Sequence, residues 1–301
     1  MSLPIVHHPD YDASSVPEGH RFPMRKYSLV AEMLRAKGYS FAVPAHAPEG
    51  WLHLAHDPGY VTAVLTSTVD AKTARRIGFE MTPAIAARTR ASVGGTCLAM
   101  RFALDHGAAV NLAGGSHHAS YEGGAGFCVF NEGAVAARLA LEEGLARRIA
   151  VVDCDVHHGD GTARIFARDP RVYTASLHCE ENWPREKPPS NLDMGLATGA
   201  GDAVYLGALD RFLDRVFKDS SPDLVFYNAG VDPHADDRLG LLSLSDSGLR
   251  ERDRRVAAAC AGRGVPVVGV LGGGYEKDAS AVAARHCLLV EALESVTAVD
   301  A

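Results

Sequence analysis

The sequence predicts a single-domain, three-layer α/β/α fold with a mostly parallel central sheet. Three observations predict it. Short apolar runs alternate with amphipathic helical stretches along the chain, the pattern of a parallel sheet wrapped by helices. The 301 residues, 47% hydrophobic and 22% charged, suit one large domain with a sizeable core. The dense polar clusters each follow an apolar run, and open α/β sheets gather their ligand sites at the carboxyl ends of strands.

The elements follow in order. Residues 3–7 (LPIVH) read as a first strand. Met24 to Lys37 reads as a helix with Leu29, Val30, Met33 and Leu34 on one face. Residues 83–106 read as a long helix, with Pro83 near its start, where a missing N–H is tolerated. Strand 108–112 (AAVNL), helix 131–144, strand 148–153 (RIAVVD), a short helix near 161–168 and strand 171–177 (RVYTASL) come next. Residues 179–202 are rich in proline and glycine and read as a long irregular loop. Helix 202–218, strand 223–228 (DLVFYN), helix 245–263, strand 265–271 (VPVVGVL) and helix 278–294 complete one domain spanning 1–301.

The formal charge of −7 argues against a direct nucleic-acid partner, since such proteins carry a basic patch. The six cysteines form no C-x-x-C pair, so free thiols in a reducing compartment are expected. The first residues, MSLPIVHHPDYDA, have neither a basic region nor an apolar core of a signal peptide. No apolar run approaches the roughly 20 residues of a membrane span. The expectation is a cytoplasmic protein with no membrane partner. Its oligomeric state is open.

The segment 150-AVVDCDVHHGDGTARIF-166 places Asp153, Asp155, His157, His158 and Asp160 at the end of an apolar strand. Unshared charge there is costly, and a metal ion is the first candidate to balance it. Asp155 and His157 stand at i and i+2, which puts both on one face of extended backbone. Asp232, past the strand 223–228, offers a third ligand. Three protein ligands and an open position describe a catalytic zinc site. The same donors accept Fe(II), Co(II) or Mn(II). His117 and His118 lie in a glycine-rich loop after strand 108–112 and suit proton transfer near neutral pH. Asp153 and Asp160 are the carboxylates free to orient them.

Taken together, GGSHHA, GFCVFNE, DCDVHHGDGT, SLH, NAGVD and GGGY resemble the histone deacetylase superfamily, in the expected order from about residue 5 to 290. PIVHHPDYD, RIGFEMTPAIAARTRASVGGT and DDRLG look most like its class IV branch and bacterial relatives. The resemblance implies the arginase/deacetylase fold and metal-dependent removal of an acetyl or longer acyl group from acyl-lysine or a related amine. It implies Asp155, His157 and Asp232 as zinc ligands and His118, backed by Asp160, as general base and acid. His117 with Asp153 is implied as the electrostatic partner, and Tyr275 as the donor to the substrate carbonyl. Gly126, Phe127, Trp183, Leu239 and Gly273 are implied as the substrate tunnel. Asp153, Asp155, His157, Ser176 and Leu177 match an inner potassium or sodium site. The acidic rim residue with which peptide deacetylases grip a substrate backbone has no counterpart that the sequence identifies.

Overall fold

The computed structural model describes residues 3–17 and 19–297. Among them, seven strands form one sheet: β1 (Ile5–Val6), β2 (Ala108–Asn111), β3 (Ile149–Asp153), β4 (Val172–Cys179), β5 (Leu192–Leu196), β6 (Leu224–Asn228) and β7 (Val267–Val270). Their spatial order is β1-β2-β7-β6-β3-β4-β5. Every pairing is parallel, so the sheet is more uniform than the sequence predicts. The strands β2, β3, β6 and β7 are buried at every position. That is why they read as continuous apolar runs: helices cover both faces of a parallel sheet.

The helices are α1 (Lys26–Ala36), α2 (Glu49–Leu52), α3 (Pro58–Leu65), α4 (Ala71–Ile77), α5 (Pro83–His106), α6 (Glu132–Glu142), α7 (Asp160–Phe166), α8 (Asp202–Ser220), α9 (Asp246–Ala261) and α10 (Ala279–Thr297). Their ends carry chemical reasons. Thr82 accepts the Ile85 N–H ahead of Pro83, and Gly107 closes α5 at φ 82°. Asn131 and Ser245 cap α6 and α9 through the N–H groups of Ala134 and Gly248. One layer packs α5 on α6 and against β1, β2 and β7. The opposite layer packs α10 against α1 and α9, with α8 laid on β3, β4 and β5. No helix among the described residues is long and apolar enough to cross a membrane.

Three expectations change. The stretch 179–202 is not all loop, because β5 pairs with β4 there. Only Leu192 and Leu196 of β5 are buried, while Asp193 and Gly195 face outward, as suits a short sheet edge. The first strand is shorter than 3–7, because beyond Val6 the chain turns to Ala42, whose carbonyl accepts the His7 N–H at 3.0 Å. Finally, α2, α3 and α4 occupy a region where the sequence predicts no element.

Candidate active site

The five polar clusters converge at the carboxyl edge of the sheet. Register explains it: Asp153 ends β3 directly opposite Asn228 of β6 on one side and Ser176 of β4 on the other. Asn228 lies opposite Val270, and Val270 opposite Asn111, so the loops after β2, β6 and β7 open on the same crevice.

The loop after β2 carries the two histidines and is held by the start of α6. The buried Glu132 carboxylate accepts the N–H groups of Gly115 and Ser116, the latter at 3.0 Å. His117 Nδ1 donates to Asp153 Oδ2 at 2.6 Å, and His118 Nδ1 donates to Asp160 Oδ1 at 2.7 Å. The rings lie 3.9 Å apart. Asp153 is fixed in turn by Asn228 Nδ2 at 2.9 Å and the Asp155 N–H at 3.2 Å.

Asp155, His157 and Asp232 are buried, and their ligand atoms lie within 4.8 Å of one another. His157 Nδ1 is 3.0 Å from Asp155 Oδ1 and 3.1 Å from Asp232 Oδ2. Tetrahedral bonds of about 2.0–2.1 Å place ligand atoms about 3.3 Å apart, so the three donors fit a zinc-sized ion. The remaining carboxylate oxygens are used: Asp232 Oδ1 accepts the Val156 N–H at 2.9 Å, and Asp155 Oδ2 accepts the Gly273 N–H at 2.8 Å. Among the described residues a second group, His8, Asp10 and His46, has comparable spacing. It is less buried and already paired internally, with His46 Nε2 at 2.7 Å from Asp10.

Electrostatics separates the two tandem histidines. Burial lowers both, but Asp153 and Asp155 outweigh it at His117 and push it up to about 9. At His118 burial and the charge of His117 win over Asp160 and bring it down to about 3. His118 is therefore neutral near pH 7, with its Nδ1–H donating to Asp160 and its Nε2 lone pair free to accept. Burial and the neighbouring Asp155 raise Asp232 to about 7. Two buried carboxylates this close call for a cation between them. Burial, then Asp155 and Asp232, raise Tyr275 well above its usual range, so it keeps its proton as a donor.

Tyr275 lines the same crevice, its ring 6.2 Å from that of His157 and 5.8 Å from that of Phe127. Phe127 adopts φ 65°, and Gly126 before it φ 52°. A side chain on Gly126 would meet Trp183 at 2.9 Å and His118 at 2.8 Å. Trp183 stands edge-on to His118 at 4.5 Å with 47% of its surface exposed, so it borders His118 from the solvent side and is not core. Leu239 is half-buried, and its carbonyl accepts Asn182 Nδ2 at 2.7 Å. Gly273 lies against the carboxylates of Asp155 and Asp232. Ser176 and Leu177 are buried in β4 beside Asp153, with Ser176 Oγ 3.0 Å from His178 Nδ1. The structure thus brings every candidate residue of the sequence to one region.

It also adds residues that the sequence does not single out. Glu132 and Asp237 position the backbone around the site, and Asn228 holds the Asp153 carboxylate. Asp237 accepts the N–H groups of Leu239, Gly240 and Tyr275, tying the rim to the tyrosine turn. Lys26, fully buried at the start of α1, donates to the Gly272 carbonyl at 2.8 Å. Burial lowers it to about 8 against the pull of Asp232 and Asp155. A lysine opening an amphipathic helix reads as surface, so the sequence carries no sign of this role.

A model of the histone deacetylase domain matches residues 20–290. The chain belongs to the histone deacetylase family. An uncharacterized protein of Picosynechococcus is 46% identical over 300 residues, covering 98% of this chain and 100% of that one. Histone deacetylase 2 of Arabidopsis thaliana is 29% identical over 295 residues, covering 93% of this chain and 76% of its own. The crystal structure of the HDA15 HD domain superposes with a TM-score of 0.81 at 23% identity, over 97% of this chain and 89% of that one. This last likeness establishes the shared fold. Membership of the histone deacetylase family supports a deacetylase-type amidohydrolase.

Proposed function

We propose that this deacetylase-family chain hydrolyses the amide of an acylated primary amine, most simply N-acetyl-lysine, with a divalent ion held by Asp155, His157 and Asp232. The observation that carries the reading is the juxtaposition of that ligand triad with two buried imidazole–carboxylate pairs, His117–Asp153 at 2.6 Å and His118–Asp160 at 2.7 Å. Zinc in such a site polarises the carbonyl and lowers the pKa of water toward about 7.

The protein's own groups divide the remaining work. His118 Nε2 takes the proton of the attacking water, and Asp160 holds the ring in the tautomer that permits it. Tyr275 donates its O–H to the tetrahedral oxyanion. His118, now protonated, returns the proton to the leaving amine. His117 keeps its positive charge between Asp153 and Asp155 and steadies the negative charge that develops. Phe127 and Trp183 form the walls between which an extended acyl-lysine side chain lies, with Gly126 and Gly273 leaving room and Leu239 at the rim. Asp153, Ser176 and Leu177 would hold a potassium or sodium ion, which would stiffen the strand ends that carry the ligands. The six free, buried thiols suit a reducing, cytoplasmic setting.

The test is release of acyl groups of increasing length from lysine peptides and from small acylated amines, with and without a chelator. Metal-dependent turnover of at least one acyl-amine is the expected result. Turnover indifferent to exhaustive chelation, or none from the metal-loaded protein on any acyl length, would overturn the proposal.

A further inference from the structure

Outside the ring of Phe127 lies a depression of about 470 Å³ whose lining includes His20, Arg21, Arg75, Arg76, Gly126 and Phe127. No carboxylate is among its described lining residues. It adjoins the proposed tunnel directly, because Gly126 and Phe127 belong to both. The arginines come from two separate segments, Arg21 from the approach to α1 and Arg75 and Arg76 from the last turn of α4.

The segments that bear these cations are held in place relative to the mouth. The carbonyls of Arg76 and Ile77 accept the N–H groups of Gly126 and Phe127 at 3.0 and 2.6 Å. Arg76 Nε donates to the Gly124 carbonyl at 2.8 Å. His20 stands edge-on to Phe127 at 5.8 Å, which anchors the segment bearing Arg21. Arg21 and Arg75 are exposed, and neither pairs with a carboxylate among the described residues. The α9 arginines behave differently: Arg250, Arg254 and Arg255 each meet an acidic partner. Arginines in a last helical turn complement the helix dipole, which accounts for Arg75 and Arg76. It does not account for Arg21, nor for a concave basic surface in a chain of net charge −7.

Resting on the acyl-amine reading above, we infer that this mouth selects substrates bearing an anionic group, a carboxylate foremost, beside the acylated amine. Arg21 and Arg75 are the specificity-determining residues. An acidic flank meets two guanidinium groups that have no carboxylate partner among the described residues, whereas a polycationic flank such as a run of lysines meets like charge. Both contacts are solvent-exposed, so the discrimination is modest and screened by salt.

The experiment uses the metal-loaded full chain and three dye-labelled peptides of equal length. Each has a central N-acetyl-lysine, flanked by Glu, Gln or Lys. Anisotropy gives Kd and acyl release gives kcat/KM, at about 20 mM and about 300 mM salt. The Glu peptide should bind about five- to ten-fold more tightly than the Lys peptide at low salt, with the gap shrinking at high salt. The preference should reverse in an Arg21→Glu, Arg75→Glu variant, with Arg76 kept because it holds Gly124. If that variant does not fold, the single variants Arg21→Gln and Arg75→Gln should each narrow the gap. Equal affinities, no binding of any peptide, or a preference unchanged in the folded variants would overturn the inference. Charge-selective binding without acyl release sinks hydrolysis and leaves the basic mouth standing. Acyl release with charge-blind affinity does the opposite.

Discussion

Replacing Gly273 with alanine probes the proposed metal site without replacing a ligand residue. Gly273 does not have a left-handed backbone, so alanine is sterically allowed there and any effect arises from the added methyl. That methyl would sit 2.1 Å from Asp232 Oδ2 and 2.7 Å from Asp155 Oδ2. Van der Waals contact requires Asp232 Oδ2 to retreat by about 1 Å. Metal–ligand distances tolerate only about 0.2 Å. Rotation of Asp232 also threatens its 2.9 Å acceptance of the Val156 N–H, which aligns the backbone between the other two ligands. Even disturbed supporting groups typically lower metal affinity by about 10- to 100-fold. Displacing a ligand should reach at least the upper end, so we expect zinc affinity to fall by about 100-fold or more while the fold persists. The assay is competition against a chromophoric chelator on wild type and variant, with metal content by elemental analysis and thermal unfolding as the control. A folded Gly273→Ala protein with wild-type zinc affinity would refute both the triad and the close approach that motivates the test.

Two further expectations concern protons. Tyr275→Phe should retain metal and fold but lose about 100- to 1000-fold in kcat, read by single-turnover acyl release, because it removes only an oxyanion donor; near-normal turnover would remove Tyr275 from the reaction. His56 is fully buried, its Nε2 accepting the Asn131 N–H at 2.9 Å and its Nδ1 donating to the Ser120 carbonyl at 2.9 Å. Burial lowers it to about 4, so between about 6.5 and 4 the unfolded chain binds the extra proton and the folded one does not. Its stabilising contribution, on the order of 3 kcal/mol, is complete above pH 6.5 and lost as pH falls toward 4. Urea midpoints across that window should drop less steeply in His56→Leu than in wild type; parallel curves would show that His56 does not titrate as described.

Much of the architecture is legible because it rests on local periodicity. Strands buried on both faces leave unbroken apolar runs, and their polar sequels mark the carboxyl edge where the site forms. The short α3 and α4 carry local signs too, Asp57 before Pro58, and Asp70 capping a turn that Gly78 closes at φ 89°. They are easily passed over because each is too short to display a helical period. The β5 edge buries only two leucines among prolines and polar residues, so its sequence resembles a loop. For the site, residue type and spacing point to the ligands and the His–Asp pairs. Glu132, Asp237 and Lys26 hold backbone groups, and Asn228 holds the Asp153 carboxylate, all brought in from distant segments, and no local pattern encodes such a contact. The basic depression beside Phe127 likewise exists only once Arg21 and α4 meet.

The strand order has a consequence for how such a chain is made. In the sheet, β2 and β3 are separated by β7 and β6, although they are successive strands in the sequence. A nascent chain that ends before Leu224 holds two unjoined blocks, β1–β2 and β3–β4–β5, each with an open edge awaiting strands not yet synthesised. The final quarter is threaded into the middle, like the closing stones of an arch. Asp232 and Tyr275 lie in the loops that follow those inserted strands, so neither the candidate ligand triad nor the proposed donor is assembled before the gap closes. On the proposed reading, the metal site is complete only at the last stage of biogenesis, when the chain has committed to its fold.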